Sequence, residues 1–270
     1  APIAVSADDD ASIEQPGAAQ QLPEPEPEPE PEPDDGLRAQ VRAKLRAGDP
    51  LRDLELAGAD LRGVDFSAAM LGSVNLKGAR LERCIFAGAR LADAQLAGAD
   101  LTQADLRGAD LTRADLTRAT LTDARLDRAI LTDANLSSAK GNGAVFDAAT
   151  GPRPSFARGV WDKASFRNLE AASADFTGAS LSSASFEGAS LIELRLDDAR
   201  AEDATFDGAR MPQASARGAT LTRSSFKDAD SPGSNWEKAT LDDSAFQGAN
   251  LKGASLVRAT CQRTSFAGAD

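Results

Sequence analysis

The sequence predicts an all-β solenoid in which the chain turns once every five residues, and three observations lead to this prediction. A five-residue register runs from Leu51 to Asp270 without an insertion. Within it, one class of positions is large and apolar, and a second class is small and apolar. Four repeats complete one coil, so we expect residues 50–270 to form about 11 coils, stacked at the strand spacing of ~4.8 Å.

The large apolar class comprises the positions whose numbers end in 1 or 6. Of the 44 such positions from Leu51 to Phe266, 23 are Leu, 11 are Phe and 2 are Trp, which includes every Phe and Trp of the chain. Of the 44 positions that end in 4 or 9, 32 are Ala. A period of five fits neither an amphipathic helix nor a simple strand. It fits a chain that turns by about 90° per repeat, with both apolar classes inward and the other three residues outward.

The twenty-residue period also predicts one inner wall rich in Phe. Only Leu106 and Leu126 interrupt this wall between its first and last members. We interpret the wall as a packed core and not as a cofactor pocket, because a coil this narrow leaves no lumen. Its aromatic members are Phe66, Phe86, Phe146, Phe166, Phe186, Phe206, Phe226, Phe246 and Phe266.

Residues 1–33 are predicted to be a disordered acidic tail. Residues 1–50 hold 12 acidic and only 4 basic side chains, and Pro and Glu alternate from Pro23 to Pro33. Proline removes backbone donors and the carboxylates repel one another, so this segment cannot pack a core. We favour an extended linker; the alternative is an acidic segment that a partner recognises.

Residues 34–49 are predicted to form a short amphipathic helix. Asp34 or Asp35 caps its start, and Gly48 followed by Pro50 ends it. An apolar residue recurs every fourth position, and basic residues occupy the remaining surface. Such a helix binds a membrane or a partner, or it covers the first coil as a lid, which is the interpretation that we favour. The apolar residues are Leu37, Val41 and Leu45.

The repeat weakens between Lys140 and Phe156, where we expect a soft joint near residues 140–155. Gly141 and Gly151 stand at inward positions, with Pro152 and Pro154 nearby. Each missing side chain removes buried apolar area, at about 25 cal/mol per Å². The joint would separate a Leu-rich half from a Phe-rich half.

The composition argues against catalysis, so we expect no enzyme activity, no cofactor and no metal. The chain has no His and only 2 Cys, which excludes imidazole chemistry and a four-thiolate zinc site. The acidic residues lie mostly at outward positions on all sides of the coil and do not converge on a cleft. Cys84 and Cys261 are both inward and too far apart for a disulfide. No membrane-length apolar run or signal pattern is present, so a cytoplasmic location is expected.

The repeat resembles the pentapeptide repeat family, whose consensus is Ala-(Asp/Asn)-Leu-X-X. Residues 99–103, 104–108 and 109–113 match it in succession. The resemblance implies a right-handed quadrilateral β-helix. Several family members are DNA mimics that act on DNA gyrase, which makes a gyrase-binding DNA mimic the alternative function. This chain departs from those members, because all four faces mix charges; the face of Leu51 and Leu71 has 7 acids and 6 bases.

A second resemblance concerns the entry into the repeats. The run Val41–Gly48 leading into Leu54–Leu61 is similar to the start of pentapeptide regions at the C-terminal end of some type VI secretion accessory proteins. Those bacterial proteins load toxins onto the secretion spike. The similarity implies a scaffolding role, with a secretion-system component or a toxin as the partner.

One outward face is less polar than the others and is the predicted partner-binding face. The last coil, which ends at Phe266–Asp270, is uncapped and predicts an end-to-end homodimer. The mixed charges and inward aromatic residues argue against nucleic acid as a partner, and no membrane partner is expected. The partner-binding candidates are Met70, Ile130, Ile192, Pro212 and Pro232, with Pro152 on the same face.

Overall fold

The computed structural model describes residues 36–270, so the predicted acidic tail and the cap residues Asp34 and Asp35 lie outside the described residues. Within these residues there is one helix, α1, which spans Gly36–Ala47. Repeats of five residues follow from Leu51 to the end of the chain. Within residues 36–270, no helix has the length and apolar character needed to cross a bilayer.

α1 lies against the start of the repeats through its apolar stripe. Val41 is completely buried, and Leu37 and Leu45 are half-buried against the same core. The helix ends in a Schellman motif around Gly48, which has φ +73°. The amide of Gly48 donates to the Leu45 carbonyl at 3.2 Å, and the amide of Asp49 donates to the Lys44 carbonyl at 2.9 Å. Two otherwise unpaired carbonyls are thus satisfied where the chain leaves the helix.

Almost every repeat makes one tight turn after its inward residue; the exception is residues 151–155, where Pro154 has no amide to close the turn. In the repeat that begins at Leu91, the carbonyl of Leu91 accepts the amide of Ala94 at 3.0 Å. The residue before each small inward position has positive φ throughout, from Gly58 to Gly268, and is often not glycine, as at Asp93 with φ +59°. Positive φ at the third residue is the signature of a type II turn. The left-handed backbone costs about 1–2 kcal/mol for a residue with a Cβ, so the pairing between coils must offset it.

Successive coils pair as parallel single-residue bridges between positions twenty apart. The bridges run from Asp60↔Arg80 to Ala245↔Ser265 and form four rows. The amide of Leu101 donates to the Thr120 carbonyl at 2.7 Å, for example, and the amide of Thr120 donates back to the Ala99 carbonyl at 2.9 Å. One coil is therefore four repeats, as predicted. The total of about 11 coils and the right-handed sense stay predictions.

The core consists of the two inward classes, and the Phe wall is confirmed. Phe66 and Phe86 stack with ring centroids 4.8 Å apart and planes 3° apart. Stacking is continuous from Phe146 to Phe266, and Phe206 and Phe226 stack at 4.8 Å and 3°. Ring spacing matches coil spacing, so each Phe meets its equivalent in the next coil.

The segment at residues 140–156 keeps its pairing, and a tryptophan fills part of the space that its glycines leave. The bridge Lys140↔Val160 continues across the segment. A Cβ placed on Gly141 would overlap the ring of Trp161 from the next coil, and a Cβ on Gly159 would overlap it as well. The Trp161 indole nitrogen donates to the Phe156 carbonyl at 3.0 Å. The soft joint near residues 140–155 stays a prediction.

The last twenty residues are less covered than the coils before them. Leu251, Cys261 and Phe266 are half-buried, whereas Leu241 is completely buried. Leu256 is 36% exposed and Val257 is 59% exposed. This end of the described core therefore presents apolar surface.

Candidate partner-binding face

The five predicted partner-binding residues lie on one side of the solenoid, which we call the Met70 face. It comprises residues 70–73 and the equivalent quartets every twenty residues up to 230–233. Side chains at the first, third and fourth positions of each quartet point outward, and the second position is the inward residue.

The large aliphatic side chains among these candidates are exposed to solvent. Met70 is 64% exposed, Ile130 is 40% exposed and Ile192 is 37% exposed. Pro212 and Pro232 are half-buried. For comparison, most large apolar side chains of the repeats are fully buried inside the coils. Exposure of this kind is what a protein-binding surface requires.

These candidates do not form one patch. Ile192, Pro212 and Pro232 stand in consecutive coils at the same position of the quartet, so they are neighbours. Two charged residues, Arg90 and Asp110, lie between Met70 and Ile130 along their row. The β-bridges Met70↔Arg90, Arg90↔Asp110 and Asp110↔Ile130 establish this order. Sequence reasoning found the face but not this separation.

The third position of the quartets forms a continuous uncharged row that sequence reasoning missed. It extends over nine successive coils and is bounded by Arg52 at one end and Lys252 at the other. Nine residues at the strand spacing give a row of about 38 Å. Reading every twentieth residue of the sequence would have revealed it. Its members are Gly72, Ala92, Thr112, Thr132, Pro152, Ala172, Ile192, Pro212 and Pro232.

Backbone hydrogen bonding explains why proline is accepted in this row. The amide at this position of a repeat does not join the pairing between coils; where it has a partner, that partner is a side chain, as when Thr112 donates to Asp110 Oδ1 at 3.0 Å. This is the structural role of the Asp or Asn before the inward Leu. Pro152, Pro212 and Pro232 have no amide to satisfy, so they need no such acceptor.

The fourth position of the quartets carries a row of alternating charges beside the uncharged row. Arg113 makes a two-pronged ion pair with Asp93, with both N–O distances 2.7 Å, and Arg153 pairs with Asp133 in the same way at 2.7 and 2.9 Å. These hydrogen bonds hold the pKa values of the Asp93 and Asp133 carboxyls below their usual range. These four charges thus neutralise one another, whereas Glu193, further along the same row, accepts the Ser173 hydroxyl at 2.8 Å. A second row of this kind, on another face, consists of Asp203, Arg223, Asp243 and Arg263.

The residues capable of catalysis or metal binding remain dispersed. Among residues 36–270, no three His, Cys, Asp or Glu side chains gather closely enough to hold a metal ion. Burial raises the pKa of the Cys84 thiol to about 12, and the thiol donates to the Leu61 carbonyl at 3.0 Å. Burial, with a smaller effect of Asp242, also raises the pKa of Cys261. Both thiols are therefore mainly in the protonated, less nucleophilic form at neutral pH.

Comparison with protein families identifies the repeat. The family model "Pentapeptide repeats" matches residues 51–88, 84–123, 120–150 and 162–193. The model "Pentapeptide repeat region" matches residues 179–256. Together the matches span well over half of the chain. A search of the curated proteins finds no match.

Solved structures of pentapeptide repeat proteins are similar to the chain. HetL, involved in heterocyst differentiation regulation in the cyanobacterium Nostoc sp. strain PCC 7120, is 30% identical; the alignment covers 82% of this chain and 93% of HetL, with a TM-score of 0.42. A protein of the Arabidopsis thaliana thylakoid lumen is 40% identical over 33% of this chain and 66% of its own, with a TM-score of 0.31. QnrB1, a plasmid-mediated fluoroquinolone resistance protein, is 19% identical over 74% and 89%, with a TM-score of 0.45.

Proposed function

The chain belongs to the pentapeptide repeat family, and from that premise we propose that it is a non-catalytic scaffold that binds a protein partner along the Met70 face. The observation that carries the proposal is the uncharged row of the Met70 face, which runs from Gly72 to Pro232 past the exposed side chain of Ile192. Solenoids present long faces of this kind to their partners.

Three properties of the Met70 face support this role. Two pairs of its charges neutralise each other, Asp93 with Arg113 and Asp133 with Arg153, so covering these pairs requires no charged partner opposite. Apart from Ile192, the members of the uncharged row are Gly, Ala, Thr and Pro, which have short side chains. The exposed aliphatic side chains of Met70, Ile130 and Ile192 supply apolar area at intervals along it.

We extend the proposal to the class of partner. The chain would be the C-terminal part of a bacterial type VI secretion accessory protein, located in the cytoplasm, and its partner a secretion component or toxin. The support for this extension is the similarity of residues 41–61 to the start of such regions. The proposal also includes an end-to-end homodimer, supported by the exposed apolar side chains of Leu256 and Val257.

Affinity capture from bacterial lysate with matched variants tests the proposed face. The full chain carrying both Ile130→Asp and Ile192→Asp should lose a partner that the unchanged chain captures. The matched control is Ile85→Asp, because Ile85 is similarly exposed, at 39%, but lies before Phe86 on another face. A partner that the double variant retains would contradict the proposal.

The identity of the captured protein decides the finer question. A secretion component or a toxin would support the accessory role. Capture of gyrase, together with inhibition of its supercoiling activity by the purified chain, would instead establish the DNA-mimic alternative. The paired and mixed charges of the surface count against that alternative, because a DNA-like field needs one dominant sign.

A further inference from the structure

A groove of about 590 Å³ lies where the second half of α1 meets the first coils. Its apolar lining includes Leu45 of α1 and Leu51, Met70 and Leu71 of the repeats. Met70, at 64%, has the most exposed large apolar side chain among the described residues. A second hollow of about 220 Å³ shares Leu51, Met70 and Leu71 with the groove. Met70 thus lines both hollows.

The groove exists because α1 covers the first coil incompletely. Val41 is completely buried, but Leu45, one turn later, is only half-buried. Ala69 lines the groove from a small inward position and yet is half-buried, whereas the equivalent Ala89 in the next coil is completely buried. Apolar surface that belongs to the core class is therefore left accessible beside the end of α1.

Positive charge is concentrated beside this apolar surface. α1 contains four basic residues between positions 38 and 46 and no acidic residue, in a chain with a net charge of −12. Arg42 and Arg46 line the groove, and Arg52 lines the adjoining hollow. The carboxylates at the groove are Asp49 and Asp65. Asp65 Oδ1 accepts the amide of Ser67 at 2.8 Å and the hydroxyl of Ser67 at 2.5 Å; these neutral donors orient the carboxylate and leave its charge in place. The positive excess therefore comes from the other basic residues of α1 and from Arg52.

We propose that the groove binds an acidic amphipathic segment of the partner protein. One aliphatic side chain of that segment packs against Met70 and Leu71, and its carboxylates lie beside Arg46. The complementarity of an apolar floor with a basic helix carries this inference. A membrane surface fits less well, because the apolar stripe of α1 is turned into the core and is not offered to lipid. The inference rests on the proposed function, which it deepens by naming the chemistry of the partner.

The two methionines of the chain make the test specific. Met70 lines the groove, and Met211 is completely buried in the core, so it serves as an internal control. The full chain with carbon-13-labelled methionine methyl groups is titrated with a synthetic peptide of one leucine flanked on each side by two glutamates. The Met70 methyl signal should shift to saturation while the Met211 signal stays in place.

Variants and altered peptides define which outcomes support the inference. Arg46→Glu should weaken binding about tenfold, and added salt should weaken it as well. Met70→Glu should abolish peptide binding, which is measured by the fluorescence anisotropy of a labelled peptide. Because the Met70 side chain is exposed, this variant should still fold. Replacing the leucine of the peptide by alanine, or its glutamates by glutamine, should remove the shift.

Three outcomes would overturn the inference: no movement of the Met70 signal at millimolar peptide, equal movement of both methionine signals, or a response of Met70 to phosphatidylglycerol vesicles but not to peptide. The variant with Ile130→Asp and Ile192→Asp should bind the peptide normally. If this peptide test fails while those two substitutions still abolish partner capture, the groove is excluded and the proposed function stands.

Discussion

At Gly141 the five-residue pattern predicts a large inward side chain, and the indole of Trp161 from the next coil occupies that space. Gly159 makes room for the same indole from the other side. The two glycines and the tryptophan are therefore one packing unit, in which Gly141 lies twenty residues away from Trp161 in the sequence. A glycine that interrupts the apolar pattern of the sequence thus makes room, in the folded chain, for a large side chain from another repeat.

Restoring the consensus at one position of this unit should destabilise the protein. Gly141→Leu should lower the free energy of unfolding by roughly 1–3 kcal/mol, because the new side chain overlaps Trp161. Adding Trp161→Leu should recover much of the loss, since two ordinary repeats then face each other. Urea unfolding measures both variants. Gly72→Ala is the control: a Cβ there comes no closer than 3.6 Å to Ala92 O, so its effect should stay within about 0.5 kcal/mol. Additive effects of the two core substitutions would refute the packing unit.

Each repeat combines two adjacent residues whose amides have opposite roles. The amide at position 173 pairs with the next coil, since Ser173 donates to the Ile192 carbonyl at 2.7 Å, and Ser173 has φ +56°. Among the described residues, the amide of Ala172 donates to no backbone acceptor. The repeat therefore tolerates the loss of one amide and not of the other. Pro212 occupies the tolerant position in a later coil.

Proline substitutions at Ala172 and at Ser173 should have clearly different effects on the free energy of unfolding. Ala172→Pro should leave the free energy of unfolding unchanged or raise it by about 0.4–1 kcal/mol, because it restricts the unfolded chain at no cost in hydrogen bonds. Ser173→Pro should lower it by about 3 kcal/mol or more, because proline cannot adopt positive φ and the bond to Ile192 is lost. Thermal unfolding followed by circular dichroism compares the two. Similar losses from both substitutions would contradict the assigned roles of the amides.

At this scale the sequence predicts the register and both inward classes, because these depend only on spacing along the chain. Leu101 and Ala104 are inward for reasons visible within one repeat. The left-handed residue of each turn and the acceptor role of residues such as Asp110 were not predicted, because the consensus records residue types and not backbone angles. Trp161, twenty residues away, fills the space beside Gly141, so this packing cannot be predicted from a single repeat.

On the scale of the whole molecule, the solenoid has one-dimensional stability, because each coil gains its contacts from its two neighbours. A coil with one neighbour keeps half of its pairing. In the last twenty residues, the amides of Ser255, Thr260 and Ser265 donate to the preceding coil. Those of Leu256 and Cys261 donate to no backbone acceptor among the described residues. These amides are the open positions, among residues 36–270, that the proposed homodimer would use.

Hydrogen exchange should therefore detect the proposed end-to-end homodimer. In dilute solution the amides of Leu256 and Cys261 should exchange rapidly, while those of Thr260 and Ser265 stay protected by their bonds to Ala239 and Ser244. If two copies pair through this end, raising the protein concentration should slow exchange of the Leu256 and Cys261 amides and leave exchange of the Thr260 and Ser265 amides unchanged. The mass measured by light scattering should double over the same concentration range. The protected amides are an internal control, since crowding or aggregation would alter both pairs. A monomeric mass at every concentration, with the Leu256 and Cys261 amides still exchanging rapidly, would refute the homodimer and leave partner binding along the Met70 face unaffected.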